Sequence, residues 1–166
     1  MVAAILLATI MAAAGPTGHH VRSTDRQIQG ILVRGLEQSP TLRRLVEVLD
    51  QSDVIVYLEV KREQHGLGGY LSHRVVTAGG IRYLRVKLIL AGPIEQVVGL
   101  MAHELQHAVE VAQTPGARDL ESLQRLFVRV GLSTACDPSR CFETQAALDV
   151  QDAVREEMNE RKRRVR

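Results

Sequence analysis

The chain is poor in several things. It has no tryptophan, three tyrosines and two phenylalanines, so its core must be built mainly from aliphatic side chains. Its formal net charge is only +2, which removes the charge imbalance expected of a nucleic-acid binder. There is no Gly-rich phosphate loop and no G-x-S-x-G elbow, which excludes two common routes to nucleotide binding and serine hydrolysis. No internal repeat is present, so a solenoid is excluded. The apolar run over residues 1–14 falls short of the roughly 20 residues that a membrane-crossing helix needs, and no Lys or Arg precedes it. No transmembrane span is expected.

What is present fits one domain with a real core. Residues 1–14 read as the apolar part of a secretory signal peptide, with Ala12-Ala13-Ala14 as a small-residue cleavage site before Gly15. That places the protein outside the cytoplasm, periplasmic or secreted. The two cysteines, Cys136 and Cys141, then read as a short-loop disulfide. Residues 15–22 read as a flexible leader, 23–160 as a single domain, and 161–166 as a solvated basic tail.

The stretch with the most chemistry is His103-Glu104-Leu105-Gln106-His107, an H-E-x-x-H pattern. On a helix, two histidines four apart lie on one face, and both imidazoles can reach one metal ion. Glu104, beside them, can take a proton from a water that the metal acidifies. The flanks predict that helix. Gly92-Pro93 precedes it, Glu95 puts an acid in its first turn, and Thr114-Pro115-Gly116 ends it. Ile94, Val97, Val98, Met101, Leu105, Ala108, Val109 and Ala112 form an apolar stripe. His103 and His107 fall on the other side with Gln96, Gly99, Leu100 and Glu110. That face is either a metal site or a plain exposed polar surface.

The expected fold class is α+β. A helical hairpin is predicted at the N-terminal side, with one helix over residues 23–36 and a second starting at Ser39-Pro40. Alternation then predicts strands over 53–61, 70–77 and 81–90, with Gly79-Gly80 as a hairpin turn. The expectation is a three-stranded antiparallel sheet packed on the motif helix. Two helices follow, one from Leu120 to Val130 closed by Gly131, and a last one with Ala146, Ala147, Val150 and Val154 on its apolar side.

Glu143 falls on that apolar side, three and four residues before Ala146 and Ala147. A carboxylate there is costly unless paired or bound to metal, so Glu143 is the candidate third ligand. The alternative is a boundary glutamate paired with an arginine. Glu110 is the rival; its place beyond the two histidines suits an outer role.

Together, His103-Glu104-Leu105-Gln106-His107 and a downstream helix with Glu143-Thr144-Gln145-Ala146 resemble the zincin metallopeptidases, and more narrowly the gluzincin branch. No His-x-x-Gly-x-x-His continuation follows His103, unlike the metzincins. The resemblance implies a small zincin-like domain in which Zn2+ is held by His103, His107 and Glu143. It implies a peptide or protein substrate and Glu104 as general base, passing a proton from water to the leaving nitrogen. Phe142 and Ala147 stand where thermolysin-like members carry Asn and Asp, so the groups that orient the histidines must come from elsewhere. Two other function classes fit the same residues: a zincin-like module that binds zinc without cleaving anything, and a metal-free secreted interaction protein.

Overall fold

Ser39 closes one helix and opens the next. In the computed structural model, which describes residues 19–61, 69–72, 74–132 and 143–164, α1 (Arg26–Gln38) ends where the Ser39 N–H reaches back to the Gly35 carbonyl. The Ser39 hydroxyl accepts the Leu42 N–H and so caps α2 (Pro40–Asp50). This is the predicted hairpin. Gly35 is needed inside it, because a Cβ there would stand 2.6 Å from Leu42 Cδ2 and 2.9 Å from Val98 Cγ1.

The sheet differs from the expected one. Among the described residues it has five strands: β1 (Val21–Arg22), β2 (Val54–Val60), β3 (Gly69–Leu71), β4 (Val76–Ala78) and β5 (Ile81–Leu88). Their order is β1-β2-β5-β3, with β4 also on β5. The predicted hairpin through Gly79-Gly80 is there, both glycines having positive φ. However, β2 runs parallel to β5, and β1 parallel to β2. The sheet is therefore mixed, not a three-stranded antiparallel one. Alternation reveals which face a strand buries but not which neighbour it takes. Here β5 inserts between β2 and the strand that precedes it in sequence. The strand predicted over 70–77 is also broken in two. It uses four residues (72–75) where β5 uses two (84–85), so the ladder is interrupted between Leu71↔Val86 and Val76↔Tyr83. Val21–Arg22, expected at the end of the leader, pairs with Val56 and Tyr57.

One face of the sheet carries Val54, Val56 and Leu58 of β2 and Leu84, Val86 and Leu88 of β5, all buried. Arg82 shares their parity and is also wholly buried. Its Nε and Nη2 donate to the two Asp53 oxygens at 2.9 and 2.5 Å. Its Nη1 donates to the carbonyls of Val111, Thr114 and Ala117 at 2.7, 2.9 and 3.2 Å. Val111 belongs to α3 (Ile94–Ala112). A cation on the carbonyls at a helix C-terminus is favourable on both hydrogen-bond and dipole grounds. Arg82 thus fastens the tail of α3 to the middle of the sheet.

Two more helices complete the layer, α4 (Leu120–Val130) and α5 (Gln145–Arg164). Asp119 and Ser122 form a capping box for α4. α5 buries Ala147, Val154 and Met158, whereas Ala146 is exposed. Farther along, Glu157 accepts the hydroxyls of Ser39 and Thr41 at 2.5 and 2.7 Å, tying α5 to the start of α2. Arg161 and Arg163, expected in a disordered tail, continue this helix with exposed side chains. Residues 1–14 and the cysteines Cys136 and Cys141 lie outside the described residues, and so does any pairing between those thiols. Among the described residues, no helix is long and apolar enough to cross a membrane.

Candidate metal centre

The face of α3 that bears the histidines is not a solvated polar surface. His103 is 8% and His107 4% exposed. Gly99 explains how α5 covers this face. A Cβ at Gly99 would stand 2.7 Å from Arg155 Cγ and 3.2 Å from the Gln151 carbonyl, so only glycine lets α5 lie this close. From α4, the Phe127 ring meets His107 edge-on at 5.4 Å.

The close approach of α5 brings the predicted residues together. His103 Nε2 is 3.2 Å from His107 Nε2 and 3.3 Å from Glu143 Oε1. One donor atom from each of His103, His107 and Glu143 lies within 4.8 Å of the others, and the group could hold a metal ion. The contact between His103 and Glu143 is not an ion pair. Burial, helped by neighbouring His107, pushes His103 down to about 4, so the imidazole is neutral near pH 7. Burial likewise raises Glu143 above the usual carboxylate range.

The groups that orient these ligands were only partly foreseen. His107 donates Nδ1–H to Glu110 Oε2 at 3.0 Å, which turns the Nε2 lone pair toward the site. Glu110 therefore has the outer role that its position suggested. Its other oxygen accepts the Thr144 hydroxyl at 2.6 Å. Thr144 is buried; its N–H donates to Glu143 Oε1 at 3.1 Å, and its hydroxyl accepts the Ala147 N–H at 3.2 Å. One threonine thus caps α5, holds the candidate ligand, and fixes the partner of His107. On His103, the Gln151 amide lies 3.1 Å from Nδ1 on one side and 2.9 and 3.0 Å from Arg155 Nη1 and Nη2 on the other; without a metal, the amide satisfies both neighbours when its nitrogen donates to Nδ1 and its oxygen accepts from the arginine. Neither Thr144 nor Gln151 stood out in the sequence. The spacing of Glu143, Ala147, Gln151 and Arg155, four apart each time, is the signal that could have found Gln151.

Glu104 is 4% exposed and sits under the sheet edge. The Leu71 N–H of β3 donates to its carboxylate. A Cβ on Gly69 would stand 3.2 Å from Glu104 Oε1, so glycine there makes room for the acid. Burial pushes the Glu104 carboxyl up to about 7, against the downward pull of His107 and of the Leu71 N–H. The site therefore sets a proton acceptor poised near neutrality beside the neutral imidazole of His103, the His107 ring and a third donor.

Other acids near the motif have structural tasks. Asp119 caps α4, and Glu121 pairs with Arg125 on its exposed face. Tyr83, a conceivable oxyanion donor, has the opposite parity to Leu84 and Leu88 and so lies on the far face of the sheet. His73, the other conceivable donor, is outside the described residues. No protein-family model, curated protein or solved structure matches the chain.

Proposed function

We propose that the protein is a zinc-dependent, zincin-like metallopeptidase, with His103, His107 and Glu143 as zinc ligands and Glu104 as general base. The observation that carries this reading is the convergence of Glu143, from the start of α5, on the two histidines of α3. Two of the three donor separations match zinc. With Zn–N and Zn–O bonds of about 2.0–2.2 Å, neighbouring donors of a tetrahedron stand about 3.3–3.5 Å apart. His103 lies 3.2 Å from His107 and 3.3 Å from Glu143, and the group as a whole falls within 4.8 Å, so a small inward turn of the Glu143 carboxylate completes the set. Two imidazoles and one carboxylate are also the donor set of an open, catalytic type of site.

Zinc, when bound, supplies a Lewis acid that acidifies water and polarises a peptide carbonyl. The chain supplies the rest. Glu104 takes a proton on its carboxylate and returns it to the leaving nitrogen, and a value near 7 suits both halves of that task. The Leu71 N–H steadies the carboxylate. Glu110 and Thr144 keep His107 in the tautomer that presents Nε2. β3 is an edge strand among the described residues, so an extended peptide can add beside it, next to Glu104. The signal-peptide reading of residues 1–14 completes the proposal and sets this activity outside the cytoplasm.

The test is metal analysis of the purified protein beside His103→Ala and Glu143→Ala, followed by a peptide-cleavage screen with Glu104→Gln. One zinc per chain, lost in both ligand variants, with cleavage abolished in Glu104→Gln, is the expected result. Protein that takes up no zinc after a zinc soak would sink the proposal. The near-complete burial of Glu104 favours a second reading, a zinc module without turnover; it predicts the same zinc content and no cleavage by the unmodified chain.

A further inference from the structure

A cavity of 260 Å³ opens beside the metal centre, where the end of β5 meets α3 and α5. Ile89, Ala91, Val97 and Leu100 make its apolar walls, and Gln96, Gln151 and Arg155 its polar ones. Gln151 belongs to both places, since it lines the cavity and touches His103 Nδ1. Arg155 is the one ionisable residue of the lining.

Two arginines in this fold are used differently. Arg82 is neutralised by Asp53 and spends its remaining N–H groups on helix-end carbonyls. Arg155 gives both terminal nitrogens to one neutral amide oxygen, so each keeps a second N–H. Its Nε is buried with no acceptor among the described residues. The acid paired with it, Asp152, is 3.5 Å away and 79% exposed, and an exposed pair of that kind adds little. Meanwhile Gly99 lets the Arg155 stem lie flat on α3, which holds the guanidinium at the cavity wall. A cation left without a buried counter-charge, on the wall of a cavity whose other polar side chains are the neutral amides of Gln96 and Gln151, is a site for a carboxylate.

We propose that this cavity is a substrate subsite and that Arg155 makes it selective for a residue bearing a carboxylate, on an acidic side chain or at the peptide's own C-terminus. The inference rests on the peptide-cleavage reading, and it adds a substrate class to it.

Calorimetric titration of the full chain, in a Glu104→Gln background so that nothing is cleaved, tests it with four probes. Acetyl-Leu-Glu-amide is set against acetyl-Leu-Gln-amide, and acetyl-Leu-Leu acid against acetyl-Leu-Leu-amide. The charged member of at least one pair is expected to bind about tenfold tighter or more, as a charge-assisted contact gives. A difference in the first pair assigns the side chain, and one in the second assigns the chain end. Arg155→Gln is expected to abolish the difference. Leu100→Phe, which fills the cavity from the opposite wall, is expected to weaken every probe even if Arg155→Gln fails to fold. Equal affinities within both pairs, no binding of any probe at millimolar concentration, or a preference that survives in folded Arg155→Gln would overturn the subsite. Zinc content is read on the same samples. A carboxylate preference without zinc removes the peptidase and leaves the subsite; zinc and cleavage without a preference do the reverse.

Discussion

The Thr144 hydroxyl and the Glu110 carboxylate meet at 2.6 Å, although 34 positions separate them. Glu110 in turn holds His107 Nδ1 at 3.0 Å. The orientation of a histidine on α3 is thus controlled from the first turn of α5. Removing such an outer partner typically costs about 10- to 100-fold in metal affinity. Thr144→Val and Glu110→Gln are each expected to weaken zinc binding in that range, measured by competition with a chromogenic chelator. Since the two act through one chain of contacts, the double variant should lose little more than the worse single one.

His103 has a different partner, and the prediction reverses. A metal on Nε2 requires the proton on Nδ1, and hence an acceptor facing it. Gln151 can offer its oxygen only by turning its amide nitrogen toward Arg155. Gln151→Glu provides an acceptor for both neighbours. It is expected to tighten zinc binding by about tenfold. An unchanged or weaker affinity would show that the amide is already placed as well as a carboxylate.

Stability of the chelated protein should have a shallow pH profile near the site, made of two opposed slopes. Glu104 has a folded value of about 7 against 4.5. The native state holds the extra proton, so the Glu104 contribution falls as pH rises through that window. His103 is at about 4 against 6.5. There the unfolded state holds the extra proton, and the contribution grows as pH rises from about 4 to about 6.5. Glu143, raised by burial, adds to the falling slope. Glu104→Gln removes the larger falling part. Its melting temperature in chelator is expected to climb from pH 5 to pH 7 more steeply than that of the unmodified protein.

Arg82→Met tests the clamp on α3. It leaves Asp53, a third of whose side chain is exposed, with Arg118 alone at 3.5 Å. It also takes the Arg82 donor from the carbonyls of Val111, Thr114 and Ala117, the first two of which keep the N–H groups of Thr114 and Ala117. Losing hydrogen bonds to a charged group of this kind costs about 1.5–3 kcal/mol, to be read from denaturant unfolding. The acid side should change as well. Hydrogen bonding to Arg82 lowers Asp53 below 3.8. Its contribution is therefore present above that value and lost as pH falls through the folded one. In Arg82→Met that part of the acid sensitivity should disappear.

Much of this was legible in local patterns. Ser39-Pro40 located the α1–α2 joint, the pentapeptide located the histidine face, and helical spacing singled out Glu143. The partners of the strands were not legible, because β2 alternates in the same way whether β5 runs with it or against it. Two-residue β1 is too short to have a period. The burial of His103 and His107 depends on α5 covering them, which the α3 stripe alone does not encode. Arg82 was readable in principle. It has the parity of Leu84, Val86 and Leu88, and a charge on a core face asks for a partner.

Glu157 binds α5 to the start of α2, about 20 Å along the helix from Thr144 at 1.5 Å per residue. A helix lying on another can slide while keeping most of its apolar contact. This one is tied at Thr144 and again at Glu157, which resists sliding and keeps Glu143 in register with the histidines. Under the zinc reading, Thr41 and Ser39, far from the histidines, act as a moored line that holds the third donor at its post.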